Sequence, residues 1–164
     1  IITGNEIFTR LIEDQFEPIL RKKITGFGSE VVDVVFTPDD PVAIEREIIR
    51  FVSSGADLIL TTGGMSVDPD DVTRHGIRKA GGEILFYGAP VLPGAMFMVA
   101  RIKDVPVLGV PACGLYHETT ILDLILPRIL AGESVGRKEI ARMGHGGLCL
   151  NCEQCRYPIC PFGK

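Results

Sequence analysis

Short apolar runs suited to strands alternate along this chain with stretches whose apolar residues recur at helical spacing, and no other feature limits its fold as strongly. Residues 31–36 form a β-branched run, 58–60 a short, wholly apolar one, and 83–87 a third. Residues 97–102 and 105–110 flank Lys103-Asp104 and read as a hairpin. Ile1-Ile2 reads as the end of a strand, and with no Met before it the chain is expected to be cut from a longer polypeptide. Between strands, Asp14-x-x-Glu17 is a capping box that places Pro18 in a first helical turn, and Asp40 caps a helix with Pro41 at its first position. That helix carries the stripe Ile44, Ile48, Phe51 and Val52 and stops at Gly55. Asp71 opens a short helix ending at Gly81-Gly82, and a last helix is expected over residues 117–130, kinked by Pro127. Apolar strands interleaved with helices imply an α/β fold of three layers, α/β/α, around a largely parallel sheet covered on both faces. It is expected to occupy residues 1–132, with a short Cys-rich tail over 133–164.

A hydrophobic share of 46% and a charged share of 23% are globular values, and 164 residues suffice for one domain with a proper core. A net charge of −4 leaves no broad basic footprint, so no nucleic-acid partner is expected. No apolar run approaches the roughly 20 residues of a membrane-spanning helix, so no membrane partner is expected either. With no signal peptide, the expected location is cytoplasmic.

In a sheet of this kind ligands bind beyond the carboxyl ends of the strands. Three loops fall there: Thr3-Gly4-Asn5-Glu6, residues 61–73, and Gly109-Val110-Pro111-Ala112-Cys113-Gly114. Paired glycines after an apolar strand let backbone N–H groups approach a phosphate, and the hydroxyls of Thr61, Thr62 and Ser66 add donors. Asp68, Asp70 and Asp71 suit a divalent cation held between carboxylate and phosphate. A plainer reading stands beside this one, in which Gly63-Gly64 is a tight turn and the aspartates cap a helix. His75 and His117 read as surface or capping histidines, Cys113 as a small buried hydrophobe, and Met96 and Met98 as core.

Thr3-Gly4-Asn5-Glu6, then Thr61-Thr62-Gly63-Gly64-Met65-Ser66-Val67 with Asp71 and Thr73, then Pro93-Gly94 and Gly109-Val110-Pro111 follow one another as in the molybdenum-cofactor biosynthesis domain. Residues 1–132 resemble that molybdopterin-binding family. The resemblance implies a small-molecule ligand, molybdopterin or its adenylylated form, bound with Mg2+ across these loops, and a homo-oligomer. It implies Thr3, Gly4, Glu6, Thr62, Gly63, Gly64, Ser66, Pro93, Gly94 and Pro111 as ligand-binding residues. It further implies Asp71 as the catalytic residue of a nucleotidyl or molybdenum transfer. Three positions depart from the family pattern: Asp68 replaces a glycine, Ala95 a lysine, and Ala112-Cys113 a Gly-Asn pair. Asp70-Asp71-x-Thr73 also resembles the related competence-damage domain, which implies nucleotide pyrophosphate hydrolysis as an alternative. A carrier or sensor without turnover is the third reading.

The tail contains Cys149-x2-Cys152-x2-Cys155-x4-Cys160-Pro161. Four thiols so close, among glycines and prolines, favour a bound metal over core packing. Overlapping Cys-x2-Cys steps before Cys-Pro point to an iron–sulfur cluster, with zinc as the other candidate.

Overall fold

The computed structural model describes residues 1–65 and 71–164. Its elements begin largely where local chemistry lets them. β1 (Ile2–Thr3) leads through α1 (Asn5–Phe8) to α2 (Phe16–Gly26). The Asp14 carboxylate accepts from the backbone N–H groups of Phe16 at 3.0 Å and Glu17 at 2.8 Å and so caps α2, while the Glu17 carboxylate pairs with Arg21 at 2.7 Å and does not complete the expected box. β2 (Phe36–Thr37) precedes α3 (Pro41–Ser53), whose first turn is closed by Asp40 accepting from Val42 and Ala43. There follow β3 (Ile59–Thr62), α4 (Val72–Lys79), β4 (Glu83–Tyr87), the hairpin β5 (Met98–Ile102) and β6 (Val105–Val110), α5 (Ile121–Leu130) and α6 (Arg137–Arg142).

The six strands form one sheet in the order β2-β1-β3-β6-β5-β4. Pairing is parallel from β2 to β6, and β5 runs against both its neighbours. Alternate side chains along a strand face opposite sides. Ile2, Leu60, Leu108 and Val99 therefore meet Phe16 and Leu20 of α2 and Ile121, Leu122 and Ile125 of α5. Ile1, Ile59, Val107, Met98 and Ala100 meet Ile44, Ile48 and Phe51 of α3 and Ile77 of α4 on the other side. This is the three-layer α/β/α arrangement with a largely parallel sheet. No described helix is long and apolar enough to cross a membrane.

Two elements differ from expectation for identifiable reasons. Of the run 31–36 only Phe36 enters β2, which ends with Thr37, because its neighbour β1 offers a ladder of two residues. The last helix begins at Ile121 and not near residue 117. Thr120 and Asp123 form a capping box, with Thr120 N–H donating to the Asp123 carboxylate at 2.7 Å.

Residues 133–164 lie against the α5 side of the sheet, where Val135, Ile140, Met143 and Phe162 join the core. Leu92 and Leu148 form a parallel bridge, with Leu92 N–H donating to Gly147 O at 2.6 Å and Cys149 N–H donating to Leu92 O at 2.8 Å. A second attachment follows from Pro127 within α5. Proline has no N–H, so the Asp123 carbonyl four residues earlier loses its helical donor. The Tyr157 hydroxyl donates to it at 2.8 Å. Tyr157→Phe is expected to cost ~1 kcal/mol in chemical denaturation, the value of one hydrogen bond, and an unchanged midpoint would refute this attachment.

Candidate functional site

β1 connects to β2 on one side, and β3 returns to pair with β1 on the other, so the strand order reverses between β1 and β3. At such a reversal the loops leave in opposite directions and open a crevice at the carboxyl ends. Thr3-Gly4 and Thr62-Gly63-Gly64 are the chain segments there.

Their glycines have specific causes. Gly63 sits at φ +77 and Gly64 at φ +51, in the left-handed region that glycine enters freely. A Cβ on Gly63 would overlap the backbone and hydroxyl oxygens of Thr3. One on Gly64 would lie 2.7 Å from Thr73 Oγ1 and 3.1 Å from Val72 Cγ2. Thr3 Oγ1 donates to Thr62 O at 2.9 Å, and Thr73 Oγ1 donates to Gly63 O at 2.9 Å. The pair is thus a tight turn clamped by two threonines, which accounts for the glycines before any ligand is considered. Ser66, Asp68 and Asp70 fall outside the described residues.

Two buried hydroxyls at the same ends, Thr62 Oγ1 of β3 and Thr37 Oγ1 of β2, have no hydrogen-bond partner among the described residues. An unsatisfied buried hydroxyl costs stability, so its retention calls for an explanation. Asp71 is buried at the start of α4 without capping it. Its carboxylate accepts from the Tyr87 hydroxyl at 3.0 Å and lies 3.9 Å from the Arg74 guanidinium, which itself stacks 4.4 Å from the Tyr87 ring centroid. Burial, and then the Asp71 carboxylate, push the Tyr87 hydroxyl up to about 12, so Tyr87 stays a proton donor. Glu6 is exposed on α1, beside the reciprocal Asn5–Asp39 pair whose two hydrogen bonds are each 3.1 Å.

Past the ends of β3 and β6 lies a cleft of about 600 Å³. Met65 forms its floor next to Gly64, residues 92–96 one side, and Pro111, Ala112 and Cys113 with His117 another. Pro93-Gly94 is held there by Ile121, whose N–H donates to Pro93 O at 3.1 Å and whose side chain leaves no room for a Cβ on Gly94. Burial pushes the Cys113 thiol up, so it is a neutral wall group and not a thiolate nucleophile. A further cavity of about 530 Å³ lies mainly toward the opposite, amino ends of the strands, reaches Thr62 of β3 and holds none of the motif glycines.

Of the residues expected from sequence, Thr3, Gly4, Thr62, Gly63 and Gly64 therefore gather at the strand reversal, and Pro93, Gly94 and Pro111 line the adjoining cleft. Asp71 stands behind the turn with Tyr87 and Arg74, which sequence reasoning missed because their pairing depends on the β4–α4 contact. His75 is exposed as expected, whereas His117 and Cys113 are cleft residues.

The tail cysteines do not fit a single metal centre in this structure. Among the described residues no group of three or more His, Cys, Asp or Glu side chains is placed to hold a metal ion. Cys149 is turned to the cleft, Cys155 Sγ is 3.2 Å from Thr119 Oγ1, Cys160 packs on the core, and Cys152 is exposed. Nor is any acidic set among the described residues placed to hold Mg2+, and two of the three expected aspartates lie outside those residues.

A family model described as "Probable molybdopterin binding domain" matches residues 1–131. A molybdopterin molybdenumtransferase of Haemophilus influenzae is 30% identical over 111 residues, 66% of this chain and 27% of that protein. The chain spans about a third or less of the curated relatives it matches. Among solved structures, the molybdopterin biosynthesis enzyme MoaB of Thermus thermophilus superposes with a TM-score of 0.64 at 21% identity, over 80% of this chain and 89% of that one. The protein CinA of Thermoplasma acidophilum, of unknown function, gives 0.65 at 16% identity, over 78% and 94%. At these identities both bear on the fold.

Proposed function

From the premise that this chain belongs to the molybdopterin-binding domain family whose model spans residues 1–131, we propose that it binds molybdopterin or its adenylylated form in molybdenum-cofactor biosynthesis or handling. The observation that carries this reading is the Thr62 hydroxyl, without a hydrogen-bond partner among the described residues and buried where the strand order reverses, beside the clamped Gly63-Gly64 turn. Backbone N–H groups of that turn and the Thr62 hydroxyl together supply donors for a phosphate, and the apolar cleft beyond Met65 takes the rings. Thr3, Gly4 and Glu6 border the site from the segment running from β1 into α1, and Pro93, Gly94 and Pro111 from the cleft side. Asp71 is proposed as the acidic group of a nucleotidyl or molybdenum transfer, and the homo-oligomer is part of the same proposal. A second reading, nucleotide pyrophosphate hydrolysis, rests on the resemblance of Asp70-Asp71-x-Thr73 in the sequence to the competence-damage domain.

Thr62→Val tests the phosphate placement. Removing a buried hydroxyl that has no partner among the described residues is expected to leave the free protein as stable or up to about 1 kcal/mol more stable. Losing a donor to a charged group should weaken molybdopterin binding roughly tenfold or more, read by anaerobic titration. Equal affinity in the two proteins would remove Thr62 from the site.

A further inference from the structure

We propose that the C-terminal extension, which lies beyond the residues the family model matches, is part of the ligand site: Leu148, Cys149 and Asn151 form the outer wall of the cleft and take the ring portion of the ligand. The proposal deepens the molybdopterin-binding reading and rests on it for the identity of the ligand.

The wall is built by backbone contacts. The Leu92–Leu148 bridge ties the extension to the residue preceding Pro93-Gly94, so one segment of the cleft carries the other. The approach is close enough to require glycine. A Cβ on Gly147 would overlap Pro90 O, one on Gly144 would sit 3.2 Å from the Pro90 ring, and one on Gly146 would meet Pro161 and Lys164. This explains the Gly144-His145-Gly146-Gly147 run that leads into the cysteines. Leu148 is nevertheless 64% exposed and Leu92 55%, although both border the cleft. Two large apolar side chains held at the mouth of a cleft, and left uncovered there, would gain by closing over an apolar ligand face.

The chemistry of the lining sets the ligand class. Met65, Pro93, Pro111, Ala112 and Leu148 supply apolar contacts, the Cys113 and Cys149 thiols polarizable ones, and His117 and Asn151 the polar groups, with no carboxylate or amine among the described lining residues. Such a surface suits a flat fused ring or a sulfur-bearing segment, with the ligand's charged end at Gly63-Gly64 beside Met65. It also gives Cys149 a role separate from the other three tail cysteines.

Two experiments on the full chain test the wall. Leu148→Glu changes a side chain outside the core, so its melting temperature should match that of the wild type, while its affinity for molybdopterin should fall at least about tenfold, as for a charge placed against an apolar ligand face. Equal affinity would overturn the proposal. Independently of any pterin, a short homobifunctional thiol cross-linker should join Cys113 to Cys149 as the main bridge involving Cys113, identified by peptide mass. Single alkylation of both thiols without that bridge would overturn the wall even if molybdopterin binds elsewhere. A wild type that forms the bridge but binds no molybdopterin would overturn the ligand assignment and, with it, the proposal as stated.

Discussion

Gly63→Ala is expected to destabilise the domain by about 2–6 kcal/mol, the sum of left-handed backbone strain and of overpacking against Thr3. That is a large fraction of the roughly 5–15 kcal/mol available to a domain. The comparison that isolates its cause is Gly28→Ala. Gly28 has almost the same backbone angle, φ +76 against +77, but nothing within 4 Å of its would-be Cβ. Gly28→Ala should therefore show the backbone strain alone, and the excess in Gly63→Ala measures the Thr3 contact. Equal midpoints in urea would mean that Thr3 does not hold the turn. Gly64→Val is a poor probe of phosphate approach for a related reason, since its side chain would first meet Thr73 and Val72.

Asp71→Asn is expected to lower turnover at least about a hundredfold while changing ligand affinity little. Asn keeps an oxygen that can accept from Tyr87 and removes the charge beside Arg74. A side chain acting only in packing would lose stability without a selective loss of rate. The capping role that a sequence reading allows is not what Asp71 performs, so a melting change cannot be ascribed to a lost cap. Turnover should be followed both as adenylylation of molybdopterin and as hydrolysis of ADP-ribose. Full activity in the variant in either assay would exclude Asp71 from that reaction.

Much of the fold was legible because its signals are local. Asp14, Asp40 with Pro41, and the stripe Ile44, Ile48 and Phe51 each specify an element without reference to the rest of the chain. The Lys103-Asp104 hairpin is of the same kind, with Lys103 in the left-handed region at φ +53. Strand 31–36 was misjudged because β propensity describes a fit to neighbours, and β1 supplies too few. The start of α5 was legible in Thr120-x-x-Asp123, but the apolar period drew the boundary earlier. At the site, the motif order pointed to loops that the fold brings to the strand reversal and the adjoining cleft. It could not show that the glycines of the turn are already required by Thr3 and Thr73, nor that Tyr87 and Arg74 hold Asp71. The wall formed by Leu148 and Cys149 was beyond sequence reasoning, because it depends on a backbone bridge to Leu92, 56 positions away.

The measurement that bears most directly on the central claim is amide hydrogen exchange of the full chain, with and without saturating molybdopterin under anaerobic conditions. Ligand seated at the strand reversal and in the adjoining cleft should slow exchange at residues 62–65 and at the loop that follows β6. Saturable binding that protects neither segment, or no binding at all, would contradict the account.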